Sequence, residues 1–194
     1  MKKSEIKAFF DSLAPEWDCN QKRNEEIIDF ILAKGGVKKG SRVLDIASGT
    51  GVLFEDYLRL GVSSLTGIDI SEKMLEIAKK KFPEVSLILG DAESYSFSEK
   101  YDVIMIYNAF PHFPEPIKLF ENLSKTLAAG GRLTVAHGIS MAEIEKCHSG
   151  KASKYSLSLP SAEILAEMMA PFVKVDIVIS DENMYMVSGV SADA

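Results

Sequence analysis

Apolar residues along this chain fall into short continuous runs that alternate with helically spaced patterns. The run "SRVLDIA" at 41–47 is β-branched and almost wholly apolar, as a strand buried on both faces requires. Over 52–60, Val52, Leu53, Tyr57 and Leu60 share a helical spacing that stops at Gly61. Residues 63–70 predict a second strand. Ser71 is placed as an N-cap for a helix over 72–82, whose lysines crowd the C-terminal end favoured by the helix dipole, and Pro83 ends it. Further strands are predicted at 85–91 and at 101–108, the most hydrophobic of the set. An amphipathic helix is predicted over 115–131, with Ile117, Phe120, Leu123 and Leu127 on one face and Gly130 and Gly131 closing it, followed by a fifth strand at 132–138. Helices at 140–148 and 161–170 open with a Ser140/Glu143 capping box and with Ser161. The chain closes with two strand-like runs around Asp181-Glu182-Asn183, a hairpin pattern, and an amphipathic helix at 23–34 precedes the whole series.

Five β/α units with short links predict an α/β fold. The expected architecture is a Rossmann-like doubly wound sheet, mostly parallel, with helices on both faces and an antiparallel strand from the C-terminal hairpin. No repeat, low-complexity tract or linker interrupts the pattern, so one domain is expected over 1–194. In such sheets ligands bind beyond the carboxyl ends of the strands.

Composition narrows the partners. The 194 residues are 46% hydrophobic and 26% charged, with a net charge of −6. That balance argues against a nucleic-acid partner, which needs a basic face. Two cysteines, Cys19 and Cys147, form no disulfide framework and read as free thiols in a reducing compartment. The N-terminus lacks the apolar core of a signal peptide, and no run approaches the roughly 18 residues of a membrane span, so a cytoplasmic protein without stable membrane insertion is expected.

The candidate chemistry starts at "VLDIASGTGVLFED", residues 43–56. A strand ends in Asp45 and turns through Ala47, Ser48, Gly49 and Gly51 into a helix, leaving backbone N–H groups facing a ligand. The phosphate-binding alternatives fail on residue type. Val52, Leu53 and Phe54 stand where a P-loop needs Lys-Ser/Thr, and Phe54 stands where a dinucleotide fingerprint has its third glycine. Asp69, with Ile70 beside it at the end of the second strand, is suited to accept from both hydroxyls of a ribose. Asp91 and Ala92 end the third strand, where a carboxylate and a backbone N–H suit the edge of an adenine. A nucleoside without a phosphate chain is the ligand implied.

In this order and spacing, these motifs resemble those of class I S-adenosylmethionine-dependent methyltransferases, over nearly the whole chain. Asp45, Gly49 and Gly51 match the family's first motif, with Ala47 in place of its first glycine, a residue to which positive φ does not come easily. Asp69 matches the acidic ribose ligand, and Asp91-Ala92 the adenine motif. "YDVIMIYNAFPHF" is similar to the fourth motif, and "LSKTLAAGGRLTV" to the helix-turn-strand after it, although Ala128-Ala129 stands where the family usually has Lys-Pro. "FFDSLAPEWD" at 9–18 resembles the lid of small-molecule methyltransferases of ubiquinone and menaquinone biosynthesis, with Phe10, Trp17 and Asp18 matching best and 1–22 as the lid segment. The resemblance implies the class I methyltransferase fold, S-adenosyl-L-methionine as cofactor, and Asn108 and its neighbours holding the methionine moiety.

Methyl transfer is an in-line displacement at an activated carbon, so alignment carries most of the catalysis, and orientation alone can contribute about 7–11 kcal/mol. A base, if used, would come from the ends of strands four and five, where His112 and His137 are the candidates and His148 follows. Each also reads as a loop or capping residue. No metal is expected, since adjacent Cys147 and His148 lack zinc-ligand spacing. Phe110 and Phe113 suit either stacking on a substrate or packing. A small-molecule acceptor is expected because there is neither an appended recognition domain nor a basic groove. Two other classes stay open. One is a non-catalytic partner subunit that binds S-adenosylmethionine or S-adenosylhomocysteine, and the other a nicotinamide-dependent oxidoreductase.

Overall fold

The computed structural model describes residues 2–20, 23–147 and 150–192. Its centre is a seven-stranded sheet in the order β3-β2-β1-β4-β5-β7-β6. The strands are β1 (Arg42–Ile46), β2 (Ser64–Asp69), β3 (Ser86–Leu89), β4 (Tyr101–Tyr107), β5 (Leu127–His137), β6 (Val173–Ser180) and β7 (Tyr185–Ser191). The first five run parallel, and β7 lies antiparallel between β5 and β6. Among the described residues, seven α-helices accompany the sheet: α1 (Lys3–Leu13), α2 (Glu25–Lys34), α3 (Phe54–Arg59), α4 (Glu72–Lys81), α5 (Pro116–Ser124), α6 (Met141–Cys147) and α7 (Ala162–Met169).

Strand alternation divides the interior in two. Leu44, Ile46, Ile104, Ile106, Leu133 and Val135 point to one face, where Leu119, Phe120 and Leu123 of α5 and Leu165 and Met169 of α7 cover them. Val43, Val103 and Met105 point to the other, beneath Ile28, Ile31 and Leu32 of α2, Phe54 and Tyr57 of α3, and Ala78 of α4. The central strands therefore read as unbroken apolar runs, because both faces are buried. Local capping agrees with the sequence. The side chains of Asn24, Ser71 and Ser161 accept from the backbone N–H three residues on, at the starts of α2, α4 and α7. Ser140 and Glu143 exchange the two bonds of a capping box.

Several boundaries differ from expectation, and the strand expected over 85–91 ends at Leu89, leaving Gly90 and Asp91 in the loop beyond it. The helix predicted over 115–131 ends at Ser124, and β5 begins at Leu127, since Leu127 pairs with Tyr101 before the ladder shifts and resumes at Val103 opposite Arg132. Sheet pairing there overrides the helix-favouring composition of Ala128-Ala129. The helix predicted from Val52 starts at Phe54, because Val52 and Leu53 belong to the turn that leaves the glycine loop. The lid segment, for which only a covering role was foreseen, forms α1 and two 3₁₀ turns, Ala14–Glu16 and Asp18–Asn20. Among the described residues no helix is long and apolar enough to cross a membrane.

Candidate functional site

A cavity opens at the carboxyl ends of β1, β2, β3 and β4 and is covered by the N-terminal segment. Ala47, Ser48, Gly49, Asp69, Ile70, Asp91, Ala92 and Asn108 line it from the sheet side, and Trp17 and His112 also contribute to the wall. Of the predicted site residues, these ten are brought together.

The loop after β1 is a chain of left-handed turns. Ala47, Gly49 and Gly51 have φ of 53°, 55° and 83°. Ala47 thus adopts the conformation that its side chain disfavours. Gly51 serves the turn and does not line the cavity: a Cβ there would stand 2.6 Å from the Phe54 ring. Asn108, at the end of β4, also has φ 53°, and its Oδ1 accepts from Gly138 N at 3.1 Å, which fixes the β4 and β5 ends together.

Asp69 holds the centre. Its Oδ2 accepts from Gly49 N at 2.8 Å and its Oδ1 from Ser71 N at 2.7 Å. The Ile70 N–H also donates to Asp69, so of the roughly four acceptor positions of a carboxylate one remains for a ligand hydroxyl. Burial pushes the Asp69 carboxyl up to about 6, against the pull of the Ser71 and Gly49 N–H groups.

Asp45 sits below the loop, outside the cavity wall and 2% exposed, and its Oδ2 has no hydrogen-bond partner. Burial, reinforced by the charge of Asp69, raises its carboxyl well above the ordinary value. Ser48 Oγ, on the cavity wall, is likewise buried without a partner. The unpartnered Ser48 Oγ, the remaining acceptor position of Asp69 and a bare loop backbone fit the adenosyl and methionine parts of S-adenosylmethionine.

At the third strand end the structure adds what the sequence pattern does not announce. Asp91 Oδ1 accepts from Glu93 N at 3.0 Å, while Oδ2 accepts from Ser94 Oγ at 2.9 Å and from Lys3 Nζ at 2.6 Å. Lys3 Nζ also lies 2.6 Å from Glu93 Oε2, and the Glu93 side chain is only 1% exposed. Burial works against the charge of Asp91, yet Lys3, the Glu93 amide and Ser94 together hold its carboxyl below the usual range. Lys3 and Glu93 both line the cavity. No local signal marks them, since they meet across 90 residues of chain.

The lid is pinned at two further points. Asp11 Oδ1 accepts from Ser71 Oγ at 2.7 Å and from Lys73 N at 3.2 Å, at the start of α4. Asp18 accepts from Thr50 Oγ1 at 2.5 Å and from Lys81 Nζ at 2.9 Å. Trp17 is carried over the glycine loop, where a Cβ at Gly49 would come 3.9 Å from its Nε1. Phe10 stands edge-on to both Trp17 and His112, with centroids 5.8 and 4.8 Å away.

His112 reaches the cavity and His137 does not. His112 Nδ1 lies 2.8 Å from the Tyr155 carbonyl oxygen and 3.2 Å from Ser156 Oγ. A carbonyl only accepts, so Nδ1 carries a proton toward the Tyr155 oxygen. His137 is 2% exposed and packs edge-on to Tyr185, which places it among core side chains. His148 and the side chain of Cys147, considered for a metal, lie outside the described residues. Phe113 lines the cavity, whereas Phe110 is buried and stacks on Phe120.

Comparison with known proteins agrees with this arrangement. Residues 43–131 match the family described as a methyltransferase domain. A demethylmenaquinone methyltransferase of Renibacterium salmoninarum is 30% identical over 142 residues, 68% of this chain and 58% of the relative. The chain therefore spans rather more than half the length of that protein. Among solved structures, an S-adenosylmethionine-dependent methyltransferase of Aquifex aeolicus superposes with a TM-score of 0.69 at 17% identity, covering 99% of this chain and 100% of the other. The N-methyltransferase NodS of Bradyrhizobium japonicum WM9, solved with S-adenosyl-l-homocysteine, superposes with a TM-score of 0.66 at 15% identity, covering 87% and 85%.

Proposed function

We propose, from the premise that the chain belongs to the S-adenosylmethionine-dependent methyltransferase family, that it moves a methyl group to a small-molecule acceptor by in-line displacement. One observation carries this reading. Asp69, tied to Gly49 beneath the cavity, presents an acceptor at the middle of three adjacent strand ends that suit an amino-acid moiety, a ribose and an adenine in turn. When bound, the cofactor supplies a methyl group already activated by its sulfonium.

The chain's own residues then have separable tasks. Asp69 orients the ribose, and the amide of Ala92 with the Asp91 carboxylate orients the base. Asn108 and the Ala47–Gly51 loop hold the methionine end. Phe10 and Trp17 exclude water from above, which strengthens every polar contact beneath them. Phe10, His112 and Phe113 leave an aromatic-walled side to the cavity, and the similarity to a demethylmenaquinone methyltransferase supports a flat aromatic acceptor on that side. To His112, which lines the cavity with Nδ1 turned to the Tyr155 carbonyl, we assign the task of taking the proton of an acceptor hydroxyl.

The test has two arms. S-adenosylhomocysteine should raise the melting temperature while NAD does not, and labelled donor with a metabolite extract should label a small acceptor. Stabilisation by NAD alone would overturn the reading. Ligand binding without transfer to any acceptor would leave a binding subunit in its place.

A further inference from the structure

Two buried carboxylates stand near each other under the glycine loop, and the fold treats them unequally. Asp69 has the Gly49 and Ser71 amides as donors. Asp45, on the neighbouring strand, has an Oδ2 without a partner, and no ion pair to it is formed among the described residues. Burial and mutual repulsion both oppose two charges in so dry a place. Of the two, Asp69 has the N–H donors that favour a charge, and Asp45 has none at Oδ2.

The surroundings of Asp45 reinforce that division. From α3, the Tyr57 hydroxyl is buried, has no hydrogen-bond partner, and is itself pushed up by burial and by Asp45. Asp56, also on α3, is neutralised by Arg23 Nη2 at 2.8 Å and Arg59 Nη2 at 3.2 Å. Arg23 is spent on Asp56, Glu25 and the Val52 carbonyl. From β4, Tyr107 is buried and carries no charge. Asp69 faces it from β2.

The order β3-β2-β1-β4 assigns the parts of the ligand. With the base at Asp91 and the ribose at Asp69, the amino-acid end falls over the β1 loop, two residues beyond Asp45. That end bears an α-ammonium. A cation arriving near a buried carboxyl favours its charged form.

We propose that Asp45 is a proton-linked positioning residue: it is protonated in the free protein and gives up that proton to solvent when the α-ammonium of the ligand is seated above it. No other atom moves between species. The carboxylic O–H bond breaks, a carboxylate remains, and the buffer takes the proton. The inference rests on the proposed ligand and adds a coupling that the ligand's identity does not require.

Calorimetry with S-adenosylhomocysteine tests it, because that probe keeps the ammonium and lacks the sulfonium. Titrations at pH 7.5 in buffers of low and high ionisation enthalpy should show release of up to about one proton per site. 5′-Methylthioadenosine, which lacks the amino-acid end, should bind the same protein with no release. Affinity for S-adenosylhomocysteine should rise above pH 7, by on the order of tenfold per unit at most, whereas Asp45→Asn should show neither release nor slope. Absence of proton release in the wild-type protein, or equal release with methylthioadenosine, overturns the coupling while leaving the methyltransferase reading intact. Failure of S-adenosylhomocysteine to bind at all would sink both.

Discussion

The Lys3 ammonium lies 2.6 Å from Glu93 Oε2, so the first residue of the N-terminal helix is the counter-ion of a carboxylate buried at the far wall of the cavity. Removing that ammonium leaves the Glu93 charge, among the described residues, with the Glu115 N–H at Oε1 to compensate it. A fully buried pair broken in this way costs about 3–5 kcal/mol. Lys3 is itself one-third exposed, so solvent screening reduces the expected cost to about 1–2 kcal/mol. Lys3→Met should therefore loosen α1 before anything else. Hydrogen exchange should quicken across 3–13 while the amides of β1 and β4 keep their protection. Unchanged protection over 3–13 would show that the lid is held by its apolar contacts alone.

Asp69→Ala removes the acceptor for Gly49 N and Ser71 N as well as the proposed ribose contacts. Each charge-assisted bond contributes about 1.5–3 kcal/mol, so one lost contact weakens binding at least about tenfold and two about a hundredfold or more. Calorimetry with S-adenosylhomocysteine should read that loss. Wild-type affinity in the variant would remove Asp69 from the ligand site. Because the substitution also leaves the Gly49 amide without its partner, the free protein should melt at a lower temperature.

The sheet was legible in advance because burial on both faces writes the central strands as unbroken apolar runs, and because Ser71, Ser140 and Ser161 announce helix starts chemically. That Asp69 and Gly49 would line a cavity was legible because clefts in parallel sheets open at the carboxyl ends of the strands. What escaped was set by contacts distant in the chain. Lys3 meets Asp91 across 88 residues, and a lysine in an N-terminal helix looks like any solvated one. Leu127 joins β5 only because Tyr101 is beside it. His137 and His112 occupy equivalent-looking strand ends, yet one faces Tyr185 in the core and the other the cavity. The left-handed turn at Ala47 escaped because alanine does not advertise it.

That turn makes two substitutions in one loop act with opposite sign. Ala47 at φ 53° carries a steric cost of about 1–2 kcal/mol. Glycine relieves it, at an entropic cost of about 0.5–1 kcal/mol in the unfolded chain. Ala47→Gly should leave stability unchanged or raise it by up to about 1.5 kcal/mol. Gly51→Ala meets both obstacles at once, a φ of 83° and a Cβ placed 2.6 Å from the Phe54 ring, which is itself buried in the core. It should destabilise by about 2–4 kcal/mol. Urea denaturation of the two variants, read against the wild type, checks the contrast, and a stabilising Gly51→Ala would contradict the loop geometry.

The two buried acids also set how the free protein responds to pH. The Asp69 carboxyl is pushed up to about 6, while an unfolded aspartate titrates near about 3.9. Between those values the native state holds a proton that the unfolded chain has lost. Unfolding then releases it, and raising the pH favours unfolding. The stabilisation linked to Asp69, about 3 kcal/mol at most, is complete below pH about 4 and is lost as the pH rises through about 6. Asp45, held well above the ordinary carboxyl value by burial and by Asp69, acts in the same direction. The paired acids Asp11, Asp18 and Asp91 are shifted the other way, and what they contribute is lost only in the acid range. Asp45→Asn isolates the upper part of the curve, because the amide keeps the shape and cannot ionise. Its buried N–H donors carry a cost of their own that is independent of pH, so the informative quantity is the slope. Urea midpoints taken at pH 6, 7 and 8 should fall more steeply for the wild type than for Asp45→Asn, and the difference should grow in the variant's favour as the pH rises. Parallel curves would mean that Asp45 does not titrate in this range.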